Sequence, residues 1–309
     1  MPPIRVVLDT DIGTDVDDCI ALAFLLGSPE IQLDAITTVY ADVALRARMA
    51  RKLLALRGRD AASIPVYEGI SAPLLGLQPI YWPGHEGLGL LEEGDNERFA
   101  AGPDQHAVDF LIEHVLANPG EIHLLAVGPL TNVAAAITRE PRFASSLKHL
   151  TIMGGWFAVT PTSGAGPGEH NIRCDPEAAH IVFSSGAAMS LVPLDVTLRA
   201  LIDQSGVDAL RARGTAYHDA IAQQIADYPG FLARGGDTFL HDPLAAATIV
   251  RPEILHWTDL AVRVELQGTL TTAMTVGFPP SEDRPATARV ALDLDREASE
   301  AFIAERIAN

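Results

Sequence analysis

The chain has 309 residues, 48% of them hydrophobic, and a formal net charge of −18. A field of that sign repels nucleic acid and anionic membranes, and two cysteines, Cys19 and Cys174, are too few for a disulfide framework. The N-terminus has no basic region followed by an apolar stretch, and no apolar run reaches membrane-spanning length, so a cytoplasmic protein with neither a nucleic-acid nor a membrane partner is expected.

Residues 4–8 form a short apolar run ending in acid and glycine, the pattern of a buried strand. Residues 18–26 read as a helix stopped by Gly27-Ser28-Pro29, residues 31–39 as a strand, 46–56 as a helix and 64–67 as a short strand. Residues 71–102 are rich in glycine and proline and read as loop. Helix follows at 104–116 with Asp104 as its cap, then strand at 122–127, helix at 131–138 and strand at 150–153. Next come helix at 175–184, strand at 189–193, mainly helix at 207–226 and a helix-like run at 244–250. Strands at 260–266, 269–276 and 288–292 precede a final helix from Arg296. The alternation predicts an α/β fold, with an open, mostly parallel central sheet flanked by helices and antiparallel strands near the C-terminus. With no linker, heptad run or internal repeat, residues 1–309 read as a single domain.

In open parallel sheets ligands bind beyond the carboxyl ends of the strands, so the loop after the first strand carries weight. It reads Asp9-Thr10-Asp11-Ile12-Gly13-Thr14-Asp15-Val16-Asp17-Asp18, five carboxylates in ten residues. Helix capping by Asp15 or Asp17 accounts for one or two of them. A hard cation with oxygen ligands accounts for all five, because it removes their mutual repulsion. No Gly-x-Gly-x-x-Gly, Walker sequence, Gly-x-Ser-x-Gly elbow or zinc spacing is present. His241-Asp242-Pro243 opens the run at 244–250, and on its own Asp242 is equally well a helix cap.

Four motifs occur in order: Asp9-Thr10-Asp11 with Asp17-Asp18, Val127-Gly128-Pro129-Leu130-Thr131-Asn132, Glu169-His170-Asn171 with Asp175-Pro176-Glu177-Ala178-Ala179, and His241-Asp242-Pro243. Together they make the chain resemble the inosine-uridine preferring nucleoside hydrolases over nearly its whole length. The resemblance implies a Rossmann-like nucleoside hydrolase fold and a Ca2+ ion held by Asp11, Asp18, Asp242 and the backbone carbonyl of Thr131. It implies Asp11 as general base toward water, and Asp17, Glu169 and Asn171 as ribose-binding groups. His241 is the implied donor to the departing base, its ordinary pKa near 6.5 suiting proton transfer at neutral pH. It further implies a small ribonucleoside as the partner, a salvage or catabolic role, and a homodimer or homotetramer.

The chain also departs from the family pattern. Ile12 stands in place of proline, and the first motif is two residues longer, so Asp15 is extra. Asp42 occupies the place of an asparagine near the substrate, and an ionised aspartate only accepts hydrogen bonds. Ser163 falls where an asparagine meets the sugar, His170 replaces an apolar or aromatic neighbour, and His85 lies near a family histidine segment with altered spacing. Trp82 and Trp156 are candidates for a wall that stacks on the base. Three other functions fit fewer residues. They are hydrolysis of another N-ribosyl compound, non-catalytic nucleoside or calcium binding, and a haloacid-dehalogenase-like phosphatase, for which Gly13 stands where threonine or valine belongs.

Overall fold

The structure is a computed structural model that describes residues 2–84, 86–158 and 168–309. Its strands, in chain order, are β1 (Ile4–Thr10), β2 (Ile31–Thr38), β3 (Val66–Glu68), β4 (Ile122–Ala126), β5 (His149–Met153), β6 (Met189–Val192), β7 (Leu201–Asp203), β8 (Asp237–Phe239), β9 (Leu255–Val264), β10 (Thr275–Phe278) and β11 (Ala288–Leu294). Nine of them form one sheet in the order β10-β9-β11-β6-β5-β4-β1-β2-β3. Pairing is parallel from β3 through to β11 and antiparallel where β9 meets β11 and β10. β7 and β8 pair separately as an antiparallel ribbon.

β1 lies inside the sheet, with β2 on one side and β4 on the other. The chain therefore runs outward from β1 through β2 to β3, then returns to β1's other edge. That reversal is a topological switch point, where the loops leaving neighbouring strands diverge and open a crevice. Both faces of β1 are covered, and its alternating residues feed two cores. Val6 and Leu8 pack with helices Asp17–Leu26, His241–Val250 and Arg296–Ile307, whereas Val7 packs with Ala107–Ala117, Thr131–Arg139 and Pro176–Phe183. Burial on both faces is why residues 6–8 of the strand read as an apolar run without alternation.

Several boundaries differ from the sequence reading. Helix Val43–Arg57 starts three residues early because the Asp42 carboxylate accepts from the Leu45 N–H at 2.9 Å. Helix Ala107–Ala117 is capped by His106, whose Nδ1 accepts from the Val108 N–H at 3.2 Å, so Asp104 is not its cap. Within the expected loop, residues Asp95–Arg98 form one helical turn, pinned by an ion pair of 2.6 Å between Lys52 and Asp95. β9 begins earlier than expected, and most of the strand expected at 269–276 is turn, with Ala273 at φ 70°. The β7–β8 ribbon was not expected, since three residues per strand are too few to show a period.

The first helix lies under the C-terminal one. The Phe24 and Phe302 rings meet edge to face with centroids 5.4 Å apart, both nearly fully buried. Phe24→Ala is expected to cost ~3–5 kcal/mol of stability through lost burial and the remaining cavity. Urea denaturation monitored by circular dichroism measures it, and a loss below about 1 kcal/mol would mean that the two helices repack freely.

Candidate metal and substrate site

The carboxyl end of β1 delivers the acids. Asp9 is fully buried beneath the crevice, where its Oδ1 accepts from the Thr37 hydroxyl at 2.6 Å and from Asn132 Nδ2 at 2.7 Å. This one carboxylate ties β1 to β2 and to the helix after β4. Thr10 closes the loop above it, donating its hydroxyl to Asp18 Oδ1 and accepting from the Ile12 N–H at 3.1 Å. Asp17 and Asp18 form the first turn of helix Asp17–Leu26, at its positive end. Asp242, in the first turn of helix His241–Val250, reaches the same place from far along the chain.

Asp17, Asp18 and Asp242 each bring a carboxylate oxygen within 4.8 Å of the other two, and all three are buried. They line a cavity of about 500 Å³ that Asp11, Glu169 and Asn171 also line. Burial pushes Asp17, Asp18 and Asp242 well above the usual carboxylate range, and repulsion from neighbouring acids pushes them further. Asp15, the extra acid, is raised by burial too, and its Oδ2 accepts from the Tyr228 hydroxyl at 2.7 Å. It caps no helix: the cap position belongs to Val16, which has no side-chain bond.

A calcium ion fits this donor set. Calcium takes six to eight oxygens at roughly 2.3–2.6 Å, so ligands on opposite sides of one ion stand about 5 Å apart. The converging atoms are all hard oxygens, and no soft sulfur or imidazole nitrogen is among them.

Glu169 caps the short helix His170–Cys174, its two oxygens accepting from the N–H groups of Asn171 at 2.8 Å, Ile172 at 3.1 Å and Gly155 at 3.2 Å. Burial outweighs those bonds and lifts its carboxyl to about 7. Asn171 Nδ2 donates to the Val127 carbonyl at 2.7 Å, leaving its amide oxygen for other partners. His241 lines the cavity, with Nδ1 2.7 Å from the Thr197 hydroxyl. Burial, aided by Arg234, lowers its pKa to about 4. The ring is therefore neutral at neutral pH, so the argument from its ordinary pKa does not survive in this setting.

Four expected residues sit elsewhere. Thr131 is the first residue of its helix, where its carbonyl points along the helix toward an i+4 partner. Its hydroxyl donates to Asp175 at 2.7 Å; in that loop it is Val127 that lines the cavity. Asp42 is exposed and occupied as a helix cap, away from the cavity lining. Trp156 is buried, its N–H bonded to Thr275 Oγ1 at 2.8 Å, and does not line the cavity; Trp82 lies against Arg46 instead. His85 and Ser163 fall outside the described residues. The aromatic lining comes from Tyr40, Tyr81 and Tyr228, none singled out by the sequence. Tyr228 stands 213 residues from its partner Asp15, a separation no local pattern can reveal.

A model of the family described as "Inosine-uridine preferring nucleoside hydrolase" matches residues 6–301. The chain belongs to that family. It is 33% identical to the inosine-uridine preferring nucleoside hydrolase of Leishmania major, over 95% of each chain. With uridine nucleosidase 1 of Arabidopsis thaliana it shares 32%, over 85% of this chain and 79% of the relative. Among solved structures, a purine-preferring ribonucleoside hydrolase from Gardnerella vaginalis superposes with a TM-score of 0.87 at 30% identity, covering 98% of both chains. The sheet described above is therefore the nucleoside hydrolase fold. No helix among the described residues is long and apolar enough to cross a membrane.

Two buried acids contribute a defined part of the pH response of the metal-free protein. Asp9 is raised from 3.8 to about 7 and Glu169 from 4.5 to about 7, burial leading in both. Between those values the native state keeps protons that the unfolded chain has released, so a rise in pH favours unfolding. The share of stability that Asp9 and Glu169 carry in excess chelator is expected to fall as pH climbs from about 4 to about 7, whereas His123 and His241, held by burial at about 3 and about 4, contribute in the opposite sense. Urea midpoints of the unsubstituted protein compared with Asp9→Asn and Glu169→Gln across that range test this; a difference that does not change with pH would mean that the two acids ionise in the native state at no cost.

Proposed function

We propose that the protein hydrolyses the N-glycosidic bond of ribonucleosides, releasing ribose and free base, with calcium held by the aspartate cluster. The observation that carries this reading is the convergence of Asp17, Asp18 and Asp242 in a cavity shared with Asp11, Glu169 and Asn171. Family membership supplies the reaction class, and relatives named for uridine, inosine-uridine and purine-preferring activities all act on nucleosides.

In this reading Asp18 and Asp242 are calcium ligands together with Asp17, whose oxygen converges with theirs, and Asp11, which lines the same cavity, is a further ligand. The backbone oxygen assigned to Thr131 on sequence grounds is better supplied by Val127, which lines the cavity. Calcium, when bound, supplies the positive charge that neutralises the acids and makes a water held in the site more acidic.

The remaining roles belong to the chain. Asp11 accepts the proton of the attacking water. Asp17, Glu169 and Asn171 take ribose hydroxyls, and contacts that tighten as the sugar flattens raise turnover rather than mere affinity. Positive charge growing on the sugar is stabilised by the surrounding carboxylates. The base leaves toward His241 and the aromatic lining of Tyr40, Tyr81 and Tyr228. Neutral His241, oriented by Thr197, serves as a hydrogen-bond donor to the departing base rather than as a preformed imidazolium.

Ribose release from a panel of nucleosides tests the reading. Chelator is expected to abolish activity and added calcium to restore it, while Asp11→Ala loses roughly 10²- to 10⁴-fold in kcat. His241→Ala is expected to lose activity on natural nucleosides but little on a nitrophenyl riboside, whose leaving group needs no proton. Equal losses on both substrates would remove His241 from leaving-group stabilisation. Release of phosphate from phosphomonoesters, with none of ribose, would overturn the whole reading.

A further inference from the structure

Among the described residues Arg46 is the largest fully buried side chain, in a helix whose sequence, Val43–Arg57, looks like a charged surface helix. Buried arginines ordinarily pair with carboxylates. This one is held by the acidic loop, close enough to Asp18 to bear on its charge, yet among the described residues it bonds to no carboxylate. Its Nε donates to the Tyr40 carbonyl at 2.7 Å, its Nη1 to the carbonyls of Asp11 and of Ile12, the latter at 3.0 Å, and its Nη2 to Thr14 Oγ1 at 2.8 Å. The guanidinium carbon lies 5.2 Å from the centre of the Trp82 ring.

These acceptors belong to the two loops that leave β1 and β2 at the switch point. The β2 side is strained: Tyr40 and Ala41 both have left-handed backbones, at φ 70° and 58°. Neither is glycine, and each such residue costs about 1–2 kcal/mol. Their N–H groups are held by the carbonyls of Ile70 and Ser71, both at 2.8 Å, and the reversal leaves the Tyr40 carbonyl facing Arg46. On the other side of Asp11 stands Gly128, where a Cβ atom would come within 2.9 Å of both Asp11 N and Asp11 Oδ1. Asp11 is thus fitted between a carbonyl grip and a glycine.

We propose that Arg46 is the positioning residue of the acidic loop, fixing the backbone at Asp11 and Ile12 so that the Asp11 carboxylate faces the cation and the sugar. The inference rests on the function proposed above. It accounts for the longer first motif with Ile12 in place of proline: a loop without that ring's stiffness is held from outside by a rigid fork. A planar guanidinium meets four acceptors at fixed angles, which an ammonium on a flexible stem cannot do.

The test compares the unsubstituted protein with Arg46→Lys and Arg46→Met. Calcium affinity is read by competition with terbium luminescence, alongside kcat and KM at saturating calcium. Both variants are expected to bind calcium about tenfold or more weakly and to lose between about tenfold and 10²-fold in kcat, with KM changed less than about threefold, as expected when a reacting group is displaced by a fraction of an ångström. Thr14→Val removes one acceptor at nearly constant volume, and a smaller fall in both readouts is expected. It decides the matter if the Arg46 variants do not fold. Unchanged calcium affinity and kcat in folded Arg46 variants, or in Thr14→Val where those do not fold, would overturn the proposal. So would recovery by lysine but not methionine, which would assign the effect to charge instead of grip. Failure of the unsubstituted protein to bind calcium or release ribose brings down the reading of the site itself.

Discussion

Mutual repulsion among buried carboxylates governs this structure. Asp11, Asp15, Asp17, Asp18 and Asp242 face one crevice, and burial compounds their repulsion because the low-dielectric interior screens charge poorly. A protein built only for stability would replace such a cluster with apolar side chains. Here the sheet, the strained reversal after β2 and the buried arginine all serve to hold it in place. The cluster is costly without a cation, and under the proposed function that cost would be the basis of its affinity for one.

The sheet order explains why the acids meet at this point. β1 is flanked by strands that lead the chain in opposite directions, so its carboxyl end opens onto a crevice instead of a packed connection. Asp9 holds that opening from beneath by joining β2 and the helix after β4 through Thr37 and Asn132. Asp242 reaches the crevice because helix His241–Val250 packs beside helix Asp17–Leu26 in the same core. Packing on one face of the sheet and chemistry at its edge are two results of one arrangement.

Much of this was legible in the sequence. Alternating apolar runs and turn residues marked most of the parallel strands and their helices, because buried parallel strands carry a strong signal. The acidic loop stood out because five carboxylates have no ordinary structural use in ten residues. What stayed hidden were features made by distance. Arg46 reads as a surface residue until the loops of Asp11 and Tyr40 fold over it. Thr131 and Asp42 lie outside the cavity lining, with Asp175 and the Leu45 N–H as their partners; a motif gives order along the chain but not which way a carbonyl or carboxylate points. Trp156 looked suited to a base, yet its place is against Thr275 in the packing beneath the loop.

The span of the cluster has a consequence for biosynthesis. Asp17 and Asp18 precede Asp242 by more than 200 residues. At about 5–20 residues per second, the acidic loop leaves the ribosome roughly 10–45 s before the helix that completes the site. At the start of that interval β1 has neither β4 nor the Asp242 helix to close over it, and the Asp242 helix is missing until its end, so the acids remain hydrated. Assembly of the acidic cluster is therefore a late event of maturation, and β9, β10 and β11, which follow Asp242 in the chain, join the sheet only after its helix has emerged.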